Sequence, residues 1–449
     1  MSIFAPEFFL RNNRFDNMKY YSTNKQADKA TLQEAVVKGL ASDRGLFMPE
    51  VIKQLPSSFF DKMKDMSFQE IAYVVADAFF GEDVDAESLK KIVYDTLSFD
   101  VPLVHVNDHI FSLELFHGPT LAFKDVGARF MSRLLGYFIK KEGQKEVNVL
   151  VATSGDTGSA VANGFLGVEG IHVYVLYPKG KVSPIQECQF TTLGKNITAL
   201  EIDGVFDDCQ ALVKSAFMDK DLNNHMKLTS ANSINVARFL PQAFYYFYAV
   251  AQLHKLGIKD NIVICVPSGN FGNITAGLFG KRMGMPVSRF IAANNRNDIF
   301  FNYLKSGKYE PKPSVQTIAN AMDVGDPSNF ARVLALYGSH EAICKDIAGC
   351  TYTDEQIRET LKNCYQQHKY LLDPHGAVGY RALCEYLKPN EVGVFLETAH
   401  PAKFKDTVES IIGEPVVIPA KLQEFMKGKK QSIELPKTFD TFKSYLMAQ

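Results

Sequence analysis

Four short apolar runs constrain the fold of this chain more than any other feature of its sequence. The segments VNVLVA, HVYVLY, IVICV and VGVFLE are rich in β-branched residues and show no polar alternation; they occupy residues 147–152, 172–177, 262–266 and 392–397. Such runs are typical of parallel strands that are buried on both faces. Helical patterns lie between them, notably at 159–167, 237–256, 274–281 and 353–372. The alternation predicts the α/β class with open, mostly parallel sheets.

The segment before residue 98 has a different pattern. Helical periodicity covers 31–40, 67–80 and 86–97, and Ser67 followed by Glu70 forms a capping box that predicts where the second helix begins. This region has no buried β run followed by a glycine loop. We therefore predict a mainly helical N-terminal domain at 1–97 and a catalytic core at 98–449.

Charge and composition exclude several classes of protein. Lys and Arg total 49 against 50 Asp and Glu, so the chain lacks the basic surplus of nucleic-acid-binding proteins. The longest apolar run, 243–251, is far shorter than the roughly 20 residues that span a bilayer. The seven cysteines include no CxxC pair, which argues against a disulfide scaffold or a zinc ribbon and favours a reducing compartment. The sequence predicts a cytoplasmic protein with no nucleic-acid partner, no membrane partner and no metal site.

Two of the predicted strands are followed by polar loops that contain glycine. TSGDTGS follows 147–152 and PSGNFGN follows 262–266, each directly before a helical pattern. In open α/β sheets ligands bind at the carboxyl ends of strands, and N–H groups at a helix start suit carboxylate or phosphate. The same residue types also build ordinary tight turns, so neither loop by itself identifies an anion site. Neither the dinucleotide signature GxGxxG nor the P-loop signature is present.

A third feature is the segment FHGPTLAFKD, which ends on Lys124 and Asp125. A lysine flanked by apolar residues extends its amine to water in most proteins. In an apolar pocket it is instead a candidate for covalent binding to a carbonyl group, because desolvation lowers its pKa toward neutrality. The spacing within this segment does not distinguish the two roles.

Five motifs in order carry a resemblance that covers nearly the whole chain. They are FHGPTLAFKD, TSGDTGSA, SANSINVARFLPQ, PSGNFGN and ETAHPAKF, and together with MKYYSTN they extend from residue 18 to residue 404. On these motifs the chain resembles the threonine synthase family of the fold type II pyridoxal-phosphate (PLP) enzymes. The resemblance implies PLP as the cofactor and a core of two α/β lobes.

The resemblance also implies a role for individual residues. Lys124 matches the lysine that binds PLP covalently, and Thr398 matches the hydroxyl group that faces the pyridine nitrogen. Asp156 stands where many fold type II enzymes place an asparagine near the cofactor 3′-oxygen, so its carboxylate must be protonated or compensated. The loop for the cofactor phosphate is matched by Gly269, Asn270, Phe271, Gly272 and Asn273. The loop for the substrate α-carboxylate is matched by Thr153, Ser154, Asp156 and Thr157, and the site for the substrate phosphate by Asn232, Ser233 and Arg238.

The implied reaction converts O-phospho-L-homoserine and water into L-threonine and phosphate by γ-elimination and β-hydration. The expected state is a monomer or a homodimer. One alternative is an O-phosphohomoserine phospho-lyase that releases 2-oxobutyrate, because its motif residues would be nearly identical. A serine/threonine dehydratase is disfavoured because it needs no phosphate-binding arginine beside the substrate. A relative without catalysis is disfavoured because the lysine, both loops and Arg238 are all present.

Overall fold

The computed structural model describes residues 17–143 and 146–449. Six strands form the larger sheet, and all neighbours in it are parallel except the last pair. Their spatial order is Ile347–Thr351, Arg289–Asn294, Ile262–Pro267, Val392–Glu397, Ile110–Glu114 and Leu103–Asn107. Five parallel strands form the other sheet of the core. Their order is Ile433–Pro436, Ile197–Asp203, Ile171–Pro178, Val147–Ala152 and Leu228–Ser230.

These two sheets confirm the predicted α/β class with mostly parallel strands in two lobes. The strands Val147–Ala152 and Val392–Glu397 have the predicted bounds, and the other two apolar runs lie inside Ile171–Pro178 and Ile262–Pro267. Every residue of Val147–Ala152 and of Ile262–Pro267 is buried, as expected for strands with helices on both faces.

Helices cover the faces of both sheets. Those of the core are Lys124–Glu142, Asp156–Phe165, Pro184–Thr191, Phe206–Met218, Lys220–His225, Val236–Phe239, Ala243–Lys255, Gly272–Arg282, Ile299–Ser306, Phe330–Tyr337, His340–Asp346, Asp354–His368, Pro374–Tyr386, Lys405–Ile412, Ala420–Lys427 and Phe439–Met447. Short 3₁₀ turns occupy Leu240–Gln242, Asn320–Met322 and Pro401–Phe404.

Two predicted helices differ in the structure: one is interrupted and the other ends earlier. The single helix predicted at 237–256 is divided by the turn Leu240–Gln242, because Pro241 has no N–H group to continue the α-helical ladder. The helix predicted at 353–372 ends at His368, where Lys369 takes a left-handed conformation with φ 55°.

The N-terminal region contains the three predicted helices, and also one helix, Ser57–Lys62, and a small sheet that we did not predict. Its helices are Leu32–Lys38, Ser57–Lys62, Phe68–Phe80 and Ala86–Thr96, with a 3₁₀ turn at Met63–Asp65. The capping box of Ser67 and Glu70 is present. Three antiparallel strands of two to four residues, too short for a period-two pattern, lie at Lys19–Ser22, Ala30–Thr31 and Phe47–Pro49. The domain boundary at residue 97 stays a prediction, and residues 1–16 of that domain lie outside the described residues.

The N-terminal region packs directly on the core. Its carbonyl of Val36 accepts hydrogen bonds from Asn235 Nδ2 at 2.8 Å and from Thr229 Oγ1 at 3.4 Å. The ring of Phe68 stacks on that of Tyr248 with centroids 4.7 Å apart. Through Asn235 the N-terminal region contacts the motif SANSINVARFLPQ directly.

Candidate active site

Lys124 and Thr398 meet at the carboxyl end of the larger sheet. Lys124 is the first residue of the helix Lys124–Glu142, and Thr398 follows the strand Val392–Glu397. The backbone N–H of Phe123 donates to the carbonyl of Thr398 at 2.9 Å, and Ala122 forms an antiparallel bridge with Ala399. Two motifs that are far apart in the sequence are therefore joined through their backbones beside the lysine.

The Lys124 amine lies in an environment that favours its neutral form. Burial is the main reason that its pKa falls to about 8; the charge of Asp156 opposes this shift, and those of Arg238 and Lys403 support it. About a tenth of such an amine is uncharged at pH 7, several hundred times the fraction for a lysine at its usual pKa. It is then able to act as a nucleophile or as a general base. Of the two roles that the sequence left open for Lys124, this environment fits the chemical one.

Asp156 is compensated by a residue to which sequence analysis gave no role. Its Oδ1 lies 2.5 Å from Lys403 Nζ, and it accepts a hydrogen bond from Gln186 Nε2 at 2.9 Å. Burial by itself would raise the pKa of Asp156, but the charges of Lys403 and Lys124 and the two hydrogen bonds lower it below the usual value for aspartate. The carboxylate is thus ionised. Lys403 stands in the quoted motif ETAHPAKF, and its side chain is buried.

The loop after the strand Val147–Ala152 opens into the helix Asp156–Phe165. Thr153 Oγ1 accepts hydrogen bonds from the N–H groups of Gly155 at 2.9 Å and Gly158 at 2.8 Å, so its hydroxyl holds the loop together. Gly155 has φ 144°, a conformation that side chains rarely adopt. Ser154 is exposed and Thr157 is half-buried. Thr153 uses its hydroxyl in the hydrogen bonds of the loop, whereas the hydroxyl groups of Ser154 and Thr157 take no part in them.

The loop after the strand Ile262–Pro267 fits a phosphate group. It leads into the helix Gly272–Arg282, whose first N–H groups have no acceptor within the helix. Asn273 Oδ1 accepts hydrogen bonds from the hydroxyl groups of Tyr245 at 2.6 Å and Tyr246 at 2.7 Å, while its Nδ2 is buried without a hydrogen-bond partner among the described residues. Phe271 has φ 64° and packs against Phe300. Free donors at a helix start are the chemistry that binds an anion.

Gly272 provides a direct test of this loop. A Cβ atom there would lie 3.0 Å from Ser233 Cβ and 3.4 Å from Asn329 Nδ2, so a larger side chain would fill the space in front of the loop. We expect Gly272→Val to weaken PLP binding by at least about tenfold, because the amides then no longer reach the phosphate. Titration of the cofactor-free chain with PLP measures this. Gly136→Val, on the helix Lys124–Glu142, is the control, and equal affinities in the two variants would contradict the assignment.

The two predicted phosphate loops are joined by hydrogen bonds. Ser233 Oγ accepts from Asn270 Nδ2 at 2.7 Å and from Asn329 Nδ2 at 3.2 Å. Asn232 Oδ1 is buried and has no hydrogen-bond partner among the described residues. The sites predicted for the cofactor phosphate and the substrate phosphate are therefore neighbours. Asn329 is a second residue that sequence analysis missed, because no motif contains it.

Arg238 is buried beside the lysine. It is 3% exposed, and its guanidinium donates to the carbonyl of Ala231 at 2.7 Å from Nε and to that of Lys124 at 3.1 Å from Nη1. Burial lowers its pKa to about 10, against the opposing charge of Asp125. Its Nη2 donates to none of the described residues. A surface arginine paired with a carboxylate, the ordinary alternative for this residue, is excluded by this burial.

Residues 17–143 and 146–449 contain neither a metal-binding cluster nor a membrane-spanning helix. No group of three or more His, Cys, Asp or Glu side chains there is placed to hold a metal ion. No helix in the same ranges is long and apolar enough to cross a membrane.

Comparisons with known proteins agree with this site along the whole chain. The family model "Threonine synthase N terminus" matches residues 19–97, "Pyridoxal-phosphate dependent enzyme" matches 100–398, and "Threonine synthase, C-terminal" matches 376–446. The threonine synthase of Haemophilus influenzae is 44% identical over 430 residues, which cover 96% of this chain and 100% of that protein.

Solved structures give the same result. The crystal structure of threonine synthase from Escherichia coli superimposes with a TM-score of 0.89 at 43% identity and covers 96% of this chain and 100% of its own. A PLP-bound threonine synthase from Brucella melitensis gives a TM-score of 0.90 at 35% identity, with 96% of this chain and 99% of that chain covered. Identity of this extent over nearly complete chains shows that the chain belongs to the threonine synthase family of PLP-dependent enzymes.

Proposed function

We propose that this chain converts O-phospho-L-homoserine and water into L-threonine and phosphate. This proposal rests on the buried Arg238, whose guanidinium donates a hydrogen bond to the backbone carbonyl of Lys124. The phosphate ester at the γ-carbon of the substrate needs a fixed cation. This cation must lie close to the amine that transfers the protons of the substrate carbons. Arginine suits this role because its planar fork binds phosphate through paired hydrogen bonds.

Lys124 performs the proton transfers in this proposal. PLP, when bound, supplies an electron sink that stabilises negative charge next to the substrate amine. The Lys124 amine, with its pKa lowered to about 8, removes the proton from the substrate Cα and later returns it. Thr398, whose carbonyl accepts a hydrogen bond from the N–H of Phe123, is proposed to place its neutral hydroxyl opposite the pyridine nitrogen.

The surrounding loops bind and orient the ligands. The helix start at Gly269, Asn270, Phe271, Gly272 and Asn273 is proposed to hold the cofactor phosphate. Arg238, Asn232 and Ser233 are proposed to hold the substrate phosphate and to stabilise its charge as it leaves. Ser154 and Thr157 are proposed to bind the α-carboxylate, and Thr153 to shape their loop, since its hydroxyl is occupied there.

The ionised Asp156 is proposed to lie near the cofactor 3′-oxygen. Lys403 balances its charge, and the carbonyl of Thr120 is a further acceptor for the Lys403 amine at 2.9 Å. An ionised Asp156 thereby stays close to the reacting groups without leaving a net buried negative charge.

We also propose a cellular compartment and an oligomeric state for the protein. All seven cysteines are free thiols, which supports a reducing compartment and hence the cytoplasm. We propose a monomer or a homodimer as the working form.

Product analysis tests the proposed reaction. The purified holoenzyme is incubated with O-phospho-L-homoserine, and threonine, 2-oxobutyrate and inorganic phosphate are measured. We expect threonine and phosphate in equal amounts. Release of 2-oxobutyrate with phosphate would identify a phospho-lyase instead, and turnover of serine or threonine in place of the phosphate ester would identify a dehydratase.

Arg238→Ala tests the role of the phosphate in this reaction. Removing the partner of a buried charge costs roughly 2–5 kcal/mol, so we expect kcat/KM for O-phospho-L-homoserine to fall by about 30-fold to several thousandfold. Arg238→Lys should restore little, because a point charge does not reproduce the fork. PLP affinity should stay unchanged, since its phosphate belongs to the other loop. Arg282→Ala, an exposed arginine on Tyr337, is the control, and wild-type kcat/KM in Arg238→Ala would refute the assignment.

A further inference from the structure

A second buried arginine lies behind the two phosphate loops and has no role in the reaction described above. Arg332 is 0% exposed, in the helix Phe330–Tyr337 that begins after Asn329. Its guanidinium carbon lies 4.0 Å from the centroid of the Phe239 ring. Phe239 is the residue after Arg238, so Arg332 packs on the short helix, Val236–Phe239, that contains Arg238.

Each N–H group of the Arg332 guanidinium donates to a neutral oxygen atom. Nε and Nη2 donate to the carbonyl of Phe47 at 3.2 and 3.1 Å. Nη1 donates to the carbonyl of Ser233 at 3.0 Å and to Asn329 Oδ1 at 2.6 Å. Nη2 also donates to the carbonyl of Ile234 at 2.5 Å. Its hydrogen bonds are therefore satisfied, but none of these partners carries a negative charge.

The positive charge of Arg332 is thus uncompensated within the described protein. Burial lowers its pKa to about 9, and no neighbouring carboxylate opposes this shift, whereas Asp125 opposes it at Arg238. A buried charge without a counter-ion is costly, and proteins rarely contain one unless a ligand balances it.

The groups that Arg332 holds belong to both proposed phosphate loops. Asn329, which Arg332 fixes through its Oδ1, donates from Nδ2 to Ser233 Oγ at 3.2 Å and to the carbonyl of Asn270 at 3.1 Å. The carbonyls of Ser233 and Ile234 come from the loop before Arg238. The guanidinium therefore lies directly behind the place where phosphate is proposed to bind, separated from it by the groups that line the loops.

We propose that Arg332 is a positioning residue whose uncompensated charge makes this site prefer ligands that carry a phosphate group. It fixes Ser233 and Asn329 through hydrogen bonds, and the bound phosphate is its counter-ion. This inference rests on the proposed function, because the phosphate is that of PLP or of the substrate. PLP and the substrate both present a phosphate group, and the experiment distinguishes between them.

The main measurement compares PLP with pyridoxal, which has the same ring and aldehyde but no phosphate. The full-length chain is freed of cofactor, and dissociation constants are measured for both compounds. In Arg332→Met we expect PLP affinity to fall by at least about tenfold more than pyridoxal affinity, because only the phosphate loses an electrostatic partner. A residue with a structural role alone would weaken both compounds to the same extent.

A second measurement reports on the substrate phosphate. Inorganic phosphate is tested as an inhibitor of the holoenzyme. If phosphate inhibits Arg332→Met more weakly than the wild type, the charge of Arg332 acts on the substrate loop. If only the preference for PLP over pyridoxal changes, the charge acts on the cofactor loop. Either result supports the proposal.

Two further variants separate charge from packing, because Arg332→Met leaves buried carbonyl groups without donors. Arg332→Lys keeps the charge and loses the fork, and we expect it to keep the PLP preference within about threefold of the wild type. Asn329→Asp places a carboxylate on the atom that already accepts from Nη1. We expect the preference of this variant for PLP to fall, because the carboxylate neutralises Arg332. The change also removes the Nδ2 donor to Ser233 Oγ and to the carbonyl of Asn270, and pyridoxal affinity is the control for that loss.

The results have distinct meanings. Arg282→Met, at the exposed end of the helix Gly272–Arg282, should change none of these quantities. A wild-type chain that binds PLP no better than pyridoxal would overturn the proposed function. A wild-type chain with that preference, together with an Asn329→Asp variant that keeps both the preference and the phosphate inhibition, would overturn the role of Arg332 alone.

Discussion

Lys124→Ala should lose covalently bound cofactor and nearly all turnover of O-phospho-L-homoserine. Proton transfer by a positioned side chain contributes about 10²–10⁴-fold to a rate, and we expect kcat to fall by at least that amount. The fold should remain, because Arg238 bonds the backbone carbonyl of Lys124 and not its side chain. Reduction with borohydride followed by mass analysis of the chain measures the covalent cofactor.

The control for this variant is Lys140→Ala, at the exposed far end of the same helix. It should retain the covalent cofactor and the wild-type kcat. If borohydride still fixes PLP to the chain in Lys124→Ala, another lysine binds the cofactor. Lys403 is then the first to examine, since its amine also contacts Asp156.

The second large effect is expected at Lys403. Lys403→Met leaves the Asp156 carboxylate buried beside Gln186 without its cationic partner. Breaking a buried ion pair on one side costs roughly 3–5 kcal/mol, so the free energy of unfolding of the cofactor-free chain should fall by about that amount. Denaturant unfolding measures it. The exposed pair of Lys345 and Glu341 offers a matched control, and Lys345→Met should leave the stability unchanged.

A double variant shows whether the pair is the cause. Asp156→Asn removes the charge and keeps an oxygen that accepts from Gln186 Nε2. In Asp156→Asn/Lys403→Met most of the lost stability should return, because no unpaired charge remains. Equal stability of the double variant and of Lys403→Met would mean that Lys403 acts through its packing.

Much of the fold could be predicted because its strands carry a local pattern. The runs Val147–Ala152 and Val392–Glu397 are mostly apolar and show no polar alternation, and burial on both faces leaves that signal in the sequence itself. The strands Ala30–Thr31 and Phe47–Pro49 carry no such signal, since two or three residues cannot show a period of two. Their existence depends on tertiary contacts.

The residues of the candidate site also differ in how well the sequence predicts them. Lys124 and Gly272 could be proposed as site residues because they stand in motifs whose residue types indicate a chemical role. Lys403 stands in a motif, but its partner Asp156 is distant in sequence, so their ion pair was not visible. Arg332 and Asn329 lie in no motif at all, and only the folded chain places them behind Ser233.

The hydrogen bonds of Arg332 and Lys403 also set an order of events during synthesis. Arg332 is 285 positions from Phe47, and Lys403 is 283 positions from Thr120. Contacts between such distant residues form late, because a long loop must close before they contribute. The glycine loops leave the ribosome well before the two cations that support them. We therefore expect capture of the cofactor to be a late step in the maturation of this chain, after its first and last thirds have joined.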